Sequence, residues 1–227
     1  MKLNYLNIVK HALAFNKFLF TQCQCILCNQ PSDSSLCNHC ALLLSRETLL
    51  HKRKILHLLD HHIYLYSINH YSGYTRKLLS MFKYNNNHLA GQALSLYFRL
   101  AFQRQRTLDD VDLMLPIPTH RLRFLYRGFN HADIFAEALA KTQHCPLAER
   151  ALYRKKYTKP QAKSDYEARQ KQLKQVFAQK KKIHAAHLLV IDDVITTGAT
   201  IKAFIHTLLS HPGNTIDKIS VLTLCRT

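Results

Sequence analysis

Apolar and polar positions follow two rhythms along the chain. Leu188-Leu189-Val190-Ile191 is an unbroken apolar run, the pattern of a strand buried on both faces, and predicts a strand over His187 to Asp193. Shorter apolar runs bounded by turn formers predict strands at Ile63 to Tyr71, Asp112 to Pro118 and Ile216 to Cys225. Between them, apolar residues spaced three and four apart predict helices over Tyr74 to Tyr84, Leu89 to Arg104, Phe129 to Lys141 and Ala199 to Ser210. Alternating strands and helices imply an α/β fold whose mainly parallel sheet is covered on both faces.

Upstream, helical spacing runs from Leu42 to Leu59, and Leu6, Val9, Leu13 and Phe20 line one face of an amphipathic helix over Leu3 to Phe20. A boundary near residue 60 divides the chain into an N-terminal part, 1–60, and a main domain, 61–227. Lys155 to Lys182 is polar, basic and poor in apolar residues, a candidate for a mobile or partner-ordered segment. The chain has no run of eighteen apolar residues, and polar interruptions such as Asn4, Lys10 and Lys17 argue against a membrane span or a signal peptide near the start. A cytoplasmic protein is expected.

Composition changes the picture in one respect. Hydrophobic residues make up 47% and charged residues 20%, as in ordinary globular chains, but 32 lysines and arginines face only 14 acidic residues, a formal charge of +18. Such a surface suits a polyanion, and nucleic acid is the natural candidate.

The apolar run at Leu188 ends at once in Asp192-Asp193, so two carboxylates sit at the carboxyl end of a buried strand, where open α/β sheets bind ligands. Thr196-Thr197-Gly198-Ala199-Thr200 follows: small residues and a glycine that turn the backbone and open a helix, with N–H groups, hydroxyls and the positive helix end converging on a phosphate. A magnesium-holding strand of a nucleoside triphosphatase would also end in acidic residues. That reading needs a Gly-x-x-x-x-Gly-Lys loop, and no glycine of this chain is followed by lysine. A receiver-like acidic pocket does not call for the Thr-Thr-Gly-Ala-Thr turn.

Leu188 to Thr200 resembles the phosphoribosyl-diphosphate signature of type I phosphoribosyltransferases. Tyr71-Ser72-Gly73, Lys83-Tyr84, Arg127-Gly128-Phe129-Asn130, then Arg154, Thr158 and Gln161, and the closing Leu224-Cys225-Arg226-Thr227 resemble the ComF competence family in order and spacing. The resemblance implies a phosphoribosyltransferase-like sheet flanked by helices, with a small N-terminal zinc knuckle. It implies that Asp192 and Asp193 grip ribose hydroxyls and that Thr196, Thr197, Gly198, Ala199 and Thr200 cradle the 5-phosphate. It also implies that the loop after Asp112 to Pro118 meets the diphosphate with a magnesium ion. Arg121, Arg123 and Arg127 follow that strand and suit diphosphate or a nucleic-acid backbone. The partners implied are single-stranded DNA, phosphoribosyl diphosphate and other DNA-uptake proteins.

Three positions depart from the pattern. Thr196 stands where purine-salvage relatives carry an aspartate that handles the base's proton, which argues against purine transfer. His131 stands where the family has glutamine, and Gln172 where it has asparagine; both keep hydrogen-bonding capacity. No residue presents itself as a general base, so binding and turnover of phosphoribosyl diphosphate both stay open.

Four of the seven cysteines form two Cys-x-x-Cys pairs, Cys25 with Cys28 and Cys37 with Cys40, around the turn formers Asn29, Pro31, Ser32, Asp33 and Ser34. Four thiolates are the ligand set of a closed, structural zinc site. A reducing cytosol disfavours disulfides, and an iron–sulfur cluster would use the same ligands. Cys23 and His39 lie close enough in sequence to substitute. Cys145 and Cys225 stand alone and read as buried apolar thiols.

Overall fold

Because successive strand residues point to opposite faces, the run at Leu188 feeds two cores at once. Leu189 and Ile191 enter one apolar cluster; Leu188 and Val190 enter the other. The computed structural model describes residues 23–46, 51–58, 61–85, 87–103, 108–155 and 176–227. The helix expected over Leu3 to Phe20 and most of Lys155 to Lys182, including Tyr157, Thr158, Gln161 and Gln172, lie outside the described residues.

The central sheet has the order β3-β4-β9-β8-β5. Its strands are β3 (His51–Leu58), β4 (His61–His70), β5 (Leu113–Pro116), β8 (His184–Ile195) and β9 (Thr215–Arg226). β4, β9, β8 and β5 run parallel, and β3 pairs antiparallel with β4 at one edge. Helices α2 (Gly73–Tyr84), α3 (His88–Phe102) and α5 (His131–Gln143) cover one face, while α6 (Ala199–Leu209) covers the other with the antiparallel pair β6 (Leu152–Arg154) and β7 (Phe177–Gln179). This is the expected mainly parallel sheet between layers of helix. Among the described residues the other helices are the short α1 (Asn38–Arg46) and α4 (Arg121–Arg127), and β1 (Cys23–Gln24) pairs with β2 (Pro31–Ser32).

One expected element is corrected. Of the helix read over Leu42 to Leu59, the described helix reaches Arg46, whereas His51–Leu58 is strand β3, so that part of the reading is corrected and the described sheet begins at His51. α3 meets α2 closely at Gly91, where an added Cβ would stand 2.6 Å from Cε2 of the buried Phe82. At the amino end of β8, buried His187 joins Asp110 (Nδ1 to Oδ1, 2.7 Å) and Ser220 (Nε2 to Oγ, 2.8 Å). Ser220 is 0% exposed, so this serine–histidine–aspartate relay has no substrate access and ties β8, β9 and the loop before β5 together.

Candidate functional site

The carboxyl ends of β5, β8 and β9 open into a cavity of about 600 Å³. Backbone hydrogen bonds hold its floor: the Ile117 N–H donates to the Ile191 carbonyl at 2.9 Å, and the Thr227 N–H to that of Ile195 at 3.0 Å. Ligands in open parallel sheets bind at such strand ends, where the crossovers diverge.

Asp192 and Asp193 both line the cavity, and their environments differ. Asp193 Oδ2 takes an ion pair from Lys83 Nζ at 2.7 Å, with both side chains mostly covered. Burial pushes the Asp193 carboxyl up, but the Lys83 ammonium outweighs it and holds the group below the usual carboxylate range. Asp192 has no such ion pair among the described residues. Burial and then the Asp193 charge push it up to about 8, although its Oδ1 accepts the Asp193 N–H at 2.8 Å.

His131 completes the acidic corner. Its ring is 4% exposed and edge-on to Phe82 at 4.7 Å, and its Nδ1 lies 3.7 Å from Asp193 Oδ2; Nε2 has no hydrogen-bond partner among the described residues. Burial pushes it down to about 4 against the pull of Asp193, so the imidazole is neutral near pH 7.

The Arg-Gly-Phe-Asn run positions this wall. Gly128, at φ 80°, adopts the left-handed turn that ends α4, its N–H donating to the Phe124 carbonyl at 2.7 Å. Phe129 stacks on Phe82 with centroids 4.9 Å apart. Asn130 Nδ2 donates to the Ile117 carbonyl at 3.0 Å and pins the loop after β5. Arg127 and Arg123 line the cavity, as do Lys83 and Arg154, so four cations face two carboxylates. That balance suits a multiply charged phosphate ligand.

The remaining candidates divide. Thr196 and Thr200 line the cavity; Thr197, Gly198 and Ala199 form the turn behind them, where the Thr197 hydroxyl accepts the Ala199 N–H at 3.4 Å. The residue before α6 is Gly198, which has no side chain to cap the helix, so the long Thr197 contact aside, its amino end is left without a side-chain acceptor among the described residues. Arg121 does not line this cavity but a neighbouring one. The sequence carried Lys83 and His131 only as motif positions; their meeting with Asp193 is a tertiary contact with no local signal.

Cys25, Cys28, Cys37 and Cys40 gather with their sulfurs within 4.8 Å of one another and can hold a metal such as zinc. Cys28 and Cys37 Sγ lie 3.7 Å apart, far beyond a disulfide and close to the ~3.8 Å edge of a tetrahedron with Zn–S bonds of ~2.3 Å. The Cys40 N–H donates to Cys37 Sγ at 3.4 Å, as it would to a thiolate. His39 is exposed and outside the cluster. Buried Leu36 and Leu44 join this knuckle to the core beneath α3. Cys145 and Cys225 are buried, and burial pushes the Cys225 thiol up to about 12. No described helix is long and apolar enough to cross a membrane.

No family model matches the chain. The DNA utilization protein YhgH of Shigella flexneri is 27% identical over 208 residues, covering 89% of this chain and 90% of the relative. Competence protein F of Haemophilus influenzae is 28% identical over 165 residues, 70% of this chain and 71% of the relative. Competence protein ComFC of Bacillus subtilis is 25% identical over 184 residues, 78% and 68% of the two chains. Among solved structures, orotate phosphoribosyltransferase from Aeropyrum pernix aligns over 80% of this chain and 78% of its own, at 18% identity and a TM-score of 0.31.

Proposed function

We infer that this chain, whose relatives bear out the resemblance to the ComF competence family, handles single-stranded DNA during natural transformation and binds phosphoribosyl diphosphate in the cavity at the strand ends. One observation carries the reading: a paired acidic corner, an open helix end and a set of cations share one cavity. In this reading the carboxylates of Asp192 and Asp193 accept the ribose hydroxyls. The uncapped start of α6, with Thr196 to Thr200, meets the 5-phosphate, and Arg123 and Arg127 meet the diphosphate. Magnesium would neutralise charge on the bound diphosphate. Lys83 keeps Asp193 ionised and fixed, and neutral His131 fills the space behind it without adding charge.

Zinc in the four-cysteine knuckle has a structural role here, since four protein ligands leave no position for water. The setting is cytoplasmic, and the partners are single-stranded DNA and other DNA-uptake proteins.

Active transfer of the phosphoribosyl group to an acceptor, with diphosphate leaving, is the second reading, and Asp192 favours it, because a carboxyl pushed up to about 8 can hold or take a proton near neutral pH. The deciding experiment incubates the protein with phosphoribosyl diphosphate and magnesium, with and without single-stranded DNA. Binding without diphosphate release is expected. Steady release makes the chain an enzyme, and no binding overturns the site.

A further inference from the structure

A second cavity, of about 620 Å³, lies across a shared wall from the first. Pro118, Thr119, Asn130 and Arg154 line both. Helix α4 divides its side chains between them: Arg123 and Arg127, one turn apart, line the first cavity, while Arg121 and Phe124, three apart, line the second. α4 buries none of its residues. The faces it turns toward the two cavities, and not a place in the core, distinguish this helix.

The second cavity joins two chemistries. Phe124 and Tyr153 are large aromatic side chains left 45% and 39% exposed. Around them stand Arg121, Arg150 and Lys180 in addition to the shared Arg154, with Asp133 as the carboxylate among them. Lys180 Nζ lies 4.8 Å from the Tyr153 ring centroid, so ring and cation already share one surface. Asp133 is held by Asn130 Nδ2 at 2.7 Å, which orients a carboxyl that can accept from the N–H edge of a base. Exposed rings stack bases, and cations beside them follow the phosphates of the same strand. A duplex keeps its base faces covered, so rings of this kind select unpaired nucleotides.

We propose that the second cavity seats a nucleotide unit of a single strand, its base against Tyr153 and Phe124 and its phosphates on Arg121, Arg150 and Lys180. The inference rests on the DNA-handling reading and adds the place where the strand lies. A strand so held passes the Arg154 wall and runs beside the phosphoribosyl pocket.

The test measures binding of a labelled oligo-deoxythymidylate and, separately, of phosphoribosyl diphosphate with magnesium. The full chain is compared with Phe124→Leu plus Tyr153→Leu, and with Arg150→Gln plus Lys180→Gln. The ring variant should bind the oligonucleotide about tenfold more weakly or worse. The charge variant should lower the slope of log affinity against log salt by about 0.7 for each phosphate it no longer neutralises. Both should bind phosphoribosyl diphosphate as the parent does, which also shows that they fold. Undiminished oligonucleotide binding in both variants overturns this inference and leaves the DNA-handling reading intact, whereas no binding by the parent overturns both. Deoxythymidine monophosphate binding as tightly as the oligonucleotide overturns the strand as occupant and makes the cavity a mononucleotide site.

Discussion

Raising the pH from 7 to 9 will strengthen phosphoribosyl-diphosphate binding about tenfold in the parent protein and leave Asp192→Asn nearly unchanged. Ribose hydroxyls need acceptors, and a carboxylate accepts from both where a protonated carboxyl must spend one oxygen as a donor. On the proposed function, the ionised form of Asp192 is therefore the binding form. Burial and the Asp193 charge push Asp192 up to about 8, so it is ionised in about one molecule in ten at pH 7 and about nine in ten at pH 9. The ratio is about ninefold, or about 1.3 kcal/mol, and close to one proton leaves per ligand bound at pH 7. Asp193, held ionised by Lys83, and His131, pushed down to about 4, do not change charge in that window. Ligand phosphates, with a second pKa of about 6, are largely ionised above pH 7. Calorimetry at pH 7 in two buffers of different ionisation heat reads the released proton directly. A flat affinity from pH 7 to 9 without proton release, or an equal slope in Asp192→Asn, refutes the reasoning.

Lys83→Met should cost about 3 kcal/mol in urea denaturation at pH 8, because it leaves Asp193 charged and mostly covered without its partner; that loss should shrink as acid protonates Asp193, and an unchanged midpoint sinks the assignment. Elemental analysis should find one zinc per chain, lost when Cys25 and Cys28 both become serine, with chelation opening the knuckle first; iron with visible colour would replace zinc in this account. Gly91→Ala should destabilise by about 1–3 kcal/mol despite its better helix propensity, since the new methyl must displace the Phe82 ring; a more stable variant would show that the two helices part freely. Burial pushes His187 below its ordinary value, so the stability tied to its neutral form is present above about pH 6.5 and lost as pH falls through the lowered value. His187→Gln should flatten that acid limb of the melting-temperature profile, and an identical limb would move its origin elsewhere.

What could be read in advance followed from local physics. The four apolar residues of β8 had to be covered on both faces, and α2, α3, α5 and α6 each carry a 3.6-residue apolar period long enough to be unambiguous. β3 escaped because its His-Lys-Arg-Lys start is polar and its apolar residues continue the helical spacing of the segment before it. α4 spans only seven residues, too few for its apolar positions to establish a helical period, and β6 and β7 are likewise too short to show one. Asp192, Asp193, Thr196 and Thr200 were visible as a motif, and all four line the cavity. The partition of the arginines was not visible, since it depends on which way a helix without a buried face turns.

The central position of β9 sets an order of events during synthesis. β4 with β3, and β8 with β5, form two half-sheets whose strands are hydrogen-bonded to one another only through β9, which leaves the ribosome after both. Until β9 inserts, each half presents an unpaired edge, the kind of template on which growing chains aggregate. Lys83 belongs to one half and Asp193 to the other, so their ion pair spans the junction that β9 fills. The cavity is thus complete only once β9 is in place, and a nascent chain stalled before β9 carries the motif residues without the cavity they line.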